Sequence, residues 1–159
     1  MSKKVKIGDK VPDFAVPATG DKVVNLQEIT NKNIVLYFYP KDNTPGCTTE
    51  GIDFNNLYDK FKKANTIIFG ISRDSVKTHE NFKTKQGFRF DLLSDQDETL
   101  CKLFDVIKLK KLYGREYMGI ERSTFVLGKN HQLKAEWRKV KVKGHAAEVL
   151  EFVQEQCKT

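Results

Sequence analysis

The chain has only three cysteines in 159 residues, Cys47, Cys101 and Cys157, and no two stand in a C-x-x-C pair. That absence excludes a zinc knuckle and a dithiol exchange site, because both need two sulfurs held close by local spacing. An odd, widely spaced set also excludes a disulfide framework, which a chain of this length does not need. Histidine is equally scarce. His79, His131 and His145 lie in unrelated segments without ligand spacing, so no metal is expected. No apolar run approaches the roughly 18 residues that span a bilayer. The basic start, Met1-Ser2-Lys3-Lys4-Val5-Lys6, is followed by no apolar signal region. The expectation is a soluble, cytoplasmic protein without membrane contact. Repeats, low-complexity tracts and linkers are also missing, which points to one domain over residues 1–159.

Charge is plentiful and unbalanced, with 28 Lys and Arg against 21 Asp and Glu for a net +7. A basic balance suits nucleic acid only when it is gathered into a stripe. Here the lysines are spread along the chain, the pattern of a solvated surface, and no nucleic-acid partner is expected. The 11 phenylalanines and the β-branched residues suffice for a core.

Two nearly unbroken apolar runs, Asn33 to Tyr39 and Thr66 to Ile71, read as strands buried on both faces. Between them Phe54, Leu57, Tyr58 and Phe61 fall on one stripe of a helix, which predicts a strand–helix–strand unit. A second helix is predicted from Asp74 or Ser75 to Gly87, a short strand over Phe90–Leu93, and a short helix from Asp97 to Phe104. Residues 105–122 are polar, contain Gly114 and Gly119, and read as a long loop carrying Lys108, Lys110, Lys111 and Arg115. Ser123–Leu127 and the alternation Leu133, Ala135, Trp137 read as strands joined by a hairpin turn. Lys139, Lys141 and Lys143 alternate with valines, as on an exposed strand or sheet edge. Ala146, Val149, Leu150 and Val153 mark a closing helix near His145.

The chemistry concentrates in Tyr39-Pro-Lys-Asp-Asn-Thr-Pro-Gly-Cys-Thr-Thr-Glu50, where a buried strand runs into an amphipathic helix. The carboxyl ends of strands in open α/β sheets are where ligand crevices form. Helix N-termini present unpaired N–H groups and partial positive charge, which activate a thiol placed there. Pro45 suits the first helical position. The residues by themselves therefore predict an activated, accessible Cys47, against the alternative of a buried cysteine that caps the sheet. Read one by one, Thr44 is also a good N-cap, Pro40 a strand breaker and Arg122 a surface charge before a strand.

Together, Pro40, Thr44 and Cys47 stand in the P-x-x-x-T-x-x-C spacing of the peroxiredoxins. The segment Lys111 to Phe125, with Arg122, resembles the peroxiredoxin Q group, also called bacterioferritin comigratory proteins. The similarity runs from about Val5 to the last helix. It implies a thioredoxin-like α/β fold, a central mixed β-sheet flanked by helices, with an N-terminal β-hairpin addition. It also implies an antioxidant, thiol-dependent peroxidase reducing hydrogen peroxide and organic hydroperoxides without a cofactor. By the same resemblance Cys47 is the peroxidatic thiolate, Thr44 contacts the sulfur and the peroxide, and Pro40 shields the pocket. Arg122 supports the charge, and Glu50 orients Arg122. The implied reductant is thioredoxin or a glutaredoxin/glutathione-type thiol, and the implied state a monomer, with a dimer open.

The sequence departs from the family in its second cysteine. Many relatives carry a resolving cysteine five residues, or about thirty-six residues, after the peroxidatic one. Those positions are Ile52 and Lys83 here. Three routes stay open: one-cysteine recycling by an external thiol, which is favoured, or a resolving role for Cys157 or for Cys101. A non-enzymatic binding or holdase module on the same fold is the rival from another class.

Overall fold

The computed structural model describes residues 4–156. Its centre is a seven-stranded sheet of β1 (Ala15–Ala18), β2 (Lys22–Asn25), β3 (Asn33–Phe38), β4 (Thr66–Ser72), β5 (Asp91–Ser94), β8 (Ser123–Leu127) and β9 (Leu133–Trp137). Their order across the sheet is β2-β1-β5-β4-β3-β8-β9. The inner strands β3, β4 and β5 run parallel, while β1, β8 and β9 add antiparallel. The sheet is therefore mixed, as expected, and the β1–β2 hairpin supplies the N-terminal addition.

Strand β3 is buried along its whole length and shows how one apolar run builds two cores. With a side-chain period of two, Ile34, Leu36 and Phe38 enter one cluster and Val35, Tyr37 and Tyr39 the other. The first cluster is closed by the N-terminal segment and by α4 (Thr99–Leu103). The second is closed by α1 (Pro45–Asn56), α2 (Tyr58–Lys63), α3 (Val76–Gln86) and α5 (His145–Gln156).

Three expectations need correction. The stripe from Phe54 to Phe61 is carried by two helices, because the Leu57 N–H bonds back to the Phe54 carbonyl and the helix tightens there. Asn55 and Asn56, weak helix formers, precede the break. Residues 105–122 are not a loop but a two-stranded hairpin, β6 (Ile107–Leu112) and β7 (Arg115–Ile120), outside the main sheet. Its turn residues Tyr113 and Gly114 both have positive φ, 52° and 76°. That is the mirror-image turn whose twist matches flanking strands. Lastly, Lys139 to Lys143 form no strand. β9 stops at Trp137, and Lys139, at φ 51°, takes a left-handed conformation that no ladder accepts.

Helix α3 ends as predicted, with Ser75 capping its start and Gly87 at φ 70° closing it. Gly51 on α1 is held to hydrogen by packing, since a Cβ there would overlap the Phe88 ring, itself stacked on Phe90 at 5.2 Å. Gly51→Ala should lower stability by about 1–3 kcal/mol despite alanine's better helix propensity, because the ring has nowhere to move. Urea titration checks this, and a midpoint at or above wild type would show that Phe88 gives way.

Candidate functional site

Strand β3 ends where proline removes the next donor. The Tyr39 N–H still bonds to the Ile71 carbonyl, and half-buried Pro40 then turns the chain off the sheet. Asn43 adopts φ 63° and Thr44 takes the extended conformation of an N-cap. Pro45 is the first helical residue and Cys47 the third. The backbone N–H groups of Gly46 and Cys47 thus belong to the first turn, which has no intrahelical acceptor for them.

Arg122, at the junction of β7 and β8, reaches this turn from the other end of the chain. Its Nη1 donates to Glu50 Oε1 at 2.6 Å and its Nη2 to Cys47 Sγ at 3.4 Å. Gly46 is part of the fit, because a Cβ there would lie 3.1 Å from Arg122 Nη2. Sequence reasoning missed this residue. Its signal was a glycine in the first turn of a helix, where glycine is otherwise unfavourable. The Arg122 main chain is held as well, its carbonyl accepting from the Val140 N–H at 3.0 Å.

The surroundings are dry. Cys47 is only 1% exposed, so the accessible thiol expected from sequence is in fact buried under its own helix turn. Burial raises the Glu50 carboxyl to about 7, and Arg122 only partly counters it. Burial also works against charge on Arg122, but Glu50 and the Cys47 sulfur outweigh it and its pKa moves up. Lys110 of the hairpin is pulled down, by partial burial first and then by repulsion from Arg122, which places a second cation beside the site. Tyr37 Oη and Glu50 Oε2 are buried without a hydrogen-bond partner among the described residues. The Tyr37 phenol is raised well above its ordinary value by burial, then by Glu50 and Cys47.

Arg122 thus joins Cys47 and Glu50 of α1, with Thr44 at the N-cap of that helix and Pro40 just beyond the end of β3. Thr44 differs in detail from expectation. Its hydroxyl donates to the Lys41 carbonyl at 2.8 Å and makes no capping bond, which leaves its lone pairs as acceptors. Cys101 is placed elsewhere, in the cluster on the opposite face of the sheet, and burial followed by the nearby Asp95 drives its thiol far up. Its N–H donates to Asp95 Oδ2 at 2.8 Å. Cys157 lies outside the described residues. Ile52 is exposed, and Lys83 donates to Asp91 Oδ1 at 2.7 Å.

The model of the AhpC/TSA family matches residues 7–136. The chain belongs to that family. Peroxiredoxin Bcp of Xanthomonas campestris is 55% identical over 138 residues, 87% of this chain and 86% of the relative. Peroxiredoxin Bcp of Bacillus subtilis is 48% identical over 151 residues, 95% and 96% of the two chains. Among solved structures, a cysteine-to-serine variant of PrxQ from Xylella fastidiosa superposes with a TM-score of 0.92. That variant is 46% identical, with 99% of this chain and 100% of that chain covered. The bacterioferritin comigratory protein of Xanthomonas campestris, solved for its alkyl peroxide reduction activity, gives 0.87 at 52% identity, over 91% and 92%. These likenesses make the fold that of the thioredoxin-like peroxiredoxins and the activity that of a thiol-dependent peroxidase acting on hydroperoxides. No helix among the described residues is long and apolar enough to cross a membrane.

The peroxiredoxin fold binds the Glu50 proton more tightly than the unfolded chain does, since its carboxyl sits at about 7 in place of 4.5. Its contribution to stability is therefore complete below about 4.5 and lost as pH rises through about 7. Glu50→Gln removes the titration. The variant should lose less stability than wild type between pH 5 and pH 8, measured by urea unfolding at both values.

Proposed function

We propose that Cys47 is the peroxidatic residue and that Arg122, Thr44, Pro40 and Glu50 serve it in distinct ways. The observation that carries this reading is the Arg122 guanidinium, 3.4 Å from Cys47 Sγ at the first turn of α1. Guanidinium and helix N-terminus both present positive potential to the sulfur, the condition for a nucleophilic thiolate.

The thiolate attacks one peroxide oxygen. An S–O bond forms, the O–O bond breaks, and water or an alcohol leaves after taking a proton, with Cys47 left as sulfenic acid. Negative charge travels from sulfur to the leaving oxygen, and fixed donors along that line stabilise it without reorganising. Arg122 has the planar fork for this, one arm on Glu50 and one on the sulfur. Thr44, its own proton committed to Lys41, is suited to accept from the peroxide O–H. Pro40 keeps water from the sulfenic acid.

The placement of Cys101 and Lys83 supports recycling by an external thiol, while Cys157 lies outside the described residues. The sheet separates Cys101 from Cys47, and Lys83, at a usual resolving position, is engaged in an ion pair with Asp91. An incoming thiol attacks the sulfenic sulfur and expels water, and a second thiol releases the mixed disulfide. Thioredoxin or a glutathione-type thiol would be the donor, acting on a monomer. A reducing compartment such as the cytoplasm would supply these donors.

Intact mass after one equivalent of hydrogen peroxide with dimedone present should show one adduct, on Cys47. Loss of two hydrogens or a covalent dimer would instead reveal a disulfide, and no change would overturn the assignment of the site. Cys47→Ser should abolish turnover while Cys101→Ser keeps most of it. Arg122→Lys, which keeps the charge but not the fork, should slow oxidation of Cys47 by about 10–100-fold in stopped-flow assays.

A further inference from the structure

The loop between Pro40 and Cys47 is bolted to the sheet by a buried polar network outside the reacting groups. Asp42 and His79 side chains are both fully buried, with Asp42 Oδ2 2.6 Å from His79 Nδ1. Tyr39 Oη donates to Asp42 Oδ1 at 2.6 Å. His79 Nε2 lies 2.8 Å from the Leu93 carbonyl at the end of β5. The Asp42 N–H donates to Asp74 Oδ2 at 2.9 Å, and that same oxygen accepts from Ser72 Oγ at 2.6 Å, at the end of β4.

A carbonyl only accepts, so His79 Nε2 carries a hydrogen. The contact between Nδ1 and Asp42 then holds a single proton, which makes the pair neutral whichever partner has it. Asp42, Asp74 and His79 have the spacing of metal ligands, yet both ring nitrogens and both Asp42 oxygens are already occupied. Two of the bonds tie the loop directly, to His79 of α3 and to Asp74 after β4, and His79 and Asp74 are in turn held to the ends of β5 and β4 by Leu93 and Ser72.

We propose that Asp42 and His79 are positioning residues for the peroxidase reaction, fixing the Pro40–Cys47 loop to the ends of β4 and β5. The loop's geometry matters because Thr44 and the first-turn N–H groups must meet the peroxide at a sulfur that is 1% exposed. A misplacement of about 1 Å in such an arrangement costs roughly a hundredfold in rate. This inference rests on the assignment of Cys47 made above.

The chemistry of the pair supplies its own control. In Asp42→Asn the amide oxygen can still accept from Tyr39 and the amide nitrogen can donate to Nδ1 of a neutral His79, so every bond survives without the shared proton. Asp42→Ala and His79→Leu break the network. Two rates are read on reduced protein that is folded by near-ultraviolet circular dichroism. One is the second-order oxidation of Cys47 by hydrogen peroxide, and the other its alkylation by iodoacetamide. Asp42→Ala and His79→Leu should slow oxidation about 30–100-fold while alkylation holds or rises. Asp42→Asn should recover oxidation to within about fivefold of wild type. Should the broken variants fail to fold, Tyr39→Phe, which removes one bond and keeps the ring, should slow oxidation about fivefold with alkylation unchanged.

Oxidation at the wild-type rate in the broken variants, or in Tyr39→Phe when it alone folds, overturns the proposal. So does Asp42→Asn as slow as Asp42→Ala, or a parallel fall of both rates. Cys47→Ser protein run alongside separates the two readings: if it still consumes peroxide, the assignment of Cys47 fails and not the network.

Discussion

Arg122 holds two distant parts of the chain in one place through a charge that has lost most of its water. Its guanidinium is partly buried, bonded to a carboxylate that is fully buried and in contact with a thiol that is 1% exposed. Taking a cation out of water is costly unless its partners replace the solvent. Glu50 does so from α1, and the rest of the arrangement follows from keeping that contact intact. Gly46 has no side chain, so the guanidinium can lie over the helix turn. The Val140 N–H holds the arginine's main chain. Hairpin and strand β8 bring the residue in from the far end of the sequence.

The sheet then divides the chemistry. Because alternate residues of β3 feed opposite clusters, a sulfur on one face cannot meet a sulfur on the other while the sheet stands. Cys47 belongs with the helices α1, α2, α3 and α5, and Cys101 with α4 and the N-terminal segment. Local electrostatics separate them further. Cys47 faces a guanidinium, whereas Cys101 faces Asp95 in an apolar shell and is driven away from ionisation. The thiols of Cys47 and Cys101 are thus unequal because of what the fold puts beside each.

Much of this was legible before any coordinates. The apolar runs of β3 and β4, the glycine stop of α3 and the stripe of α5 follow from periodicity and capping, which act over a few residues. The β6–β7 hairpin was misread because its strands lie outside the main sheet and expose most side chains, with Tyr113 at 96%, so their pattern is largely polar. The lysine and valine alternation after Trp137 misled in the opposite sense. Pattern alone cannot register a residue such as Lys139 at positive φ.

What the sequence determined by itself was the local chemistry: a cysteine three positions into a helix behind Pro40 and Thr44, and the likeness of that spacing to a family. It also ruled out a C-x-x-C dithiol, since that motif is a matter of spacing. The family likeness also implied Arg122 and Glu50 at the sulfur, but only the tertiary structure made distant groups touch. Arg122 is 75 positions from Cys47 and His79 is 37 from Asp42, and nothing local sets either contact. The burial of the thiol, the raised Glu50 carboxyl and the isolation of Cys101 are likewise properties of packing. Solvent is excluded by the assembled sheet and helices, and no short stretch of chain excludes it alone.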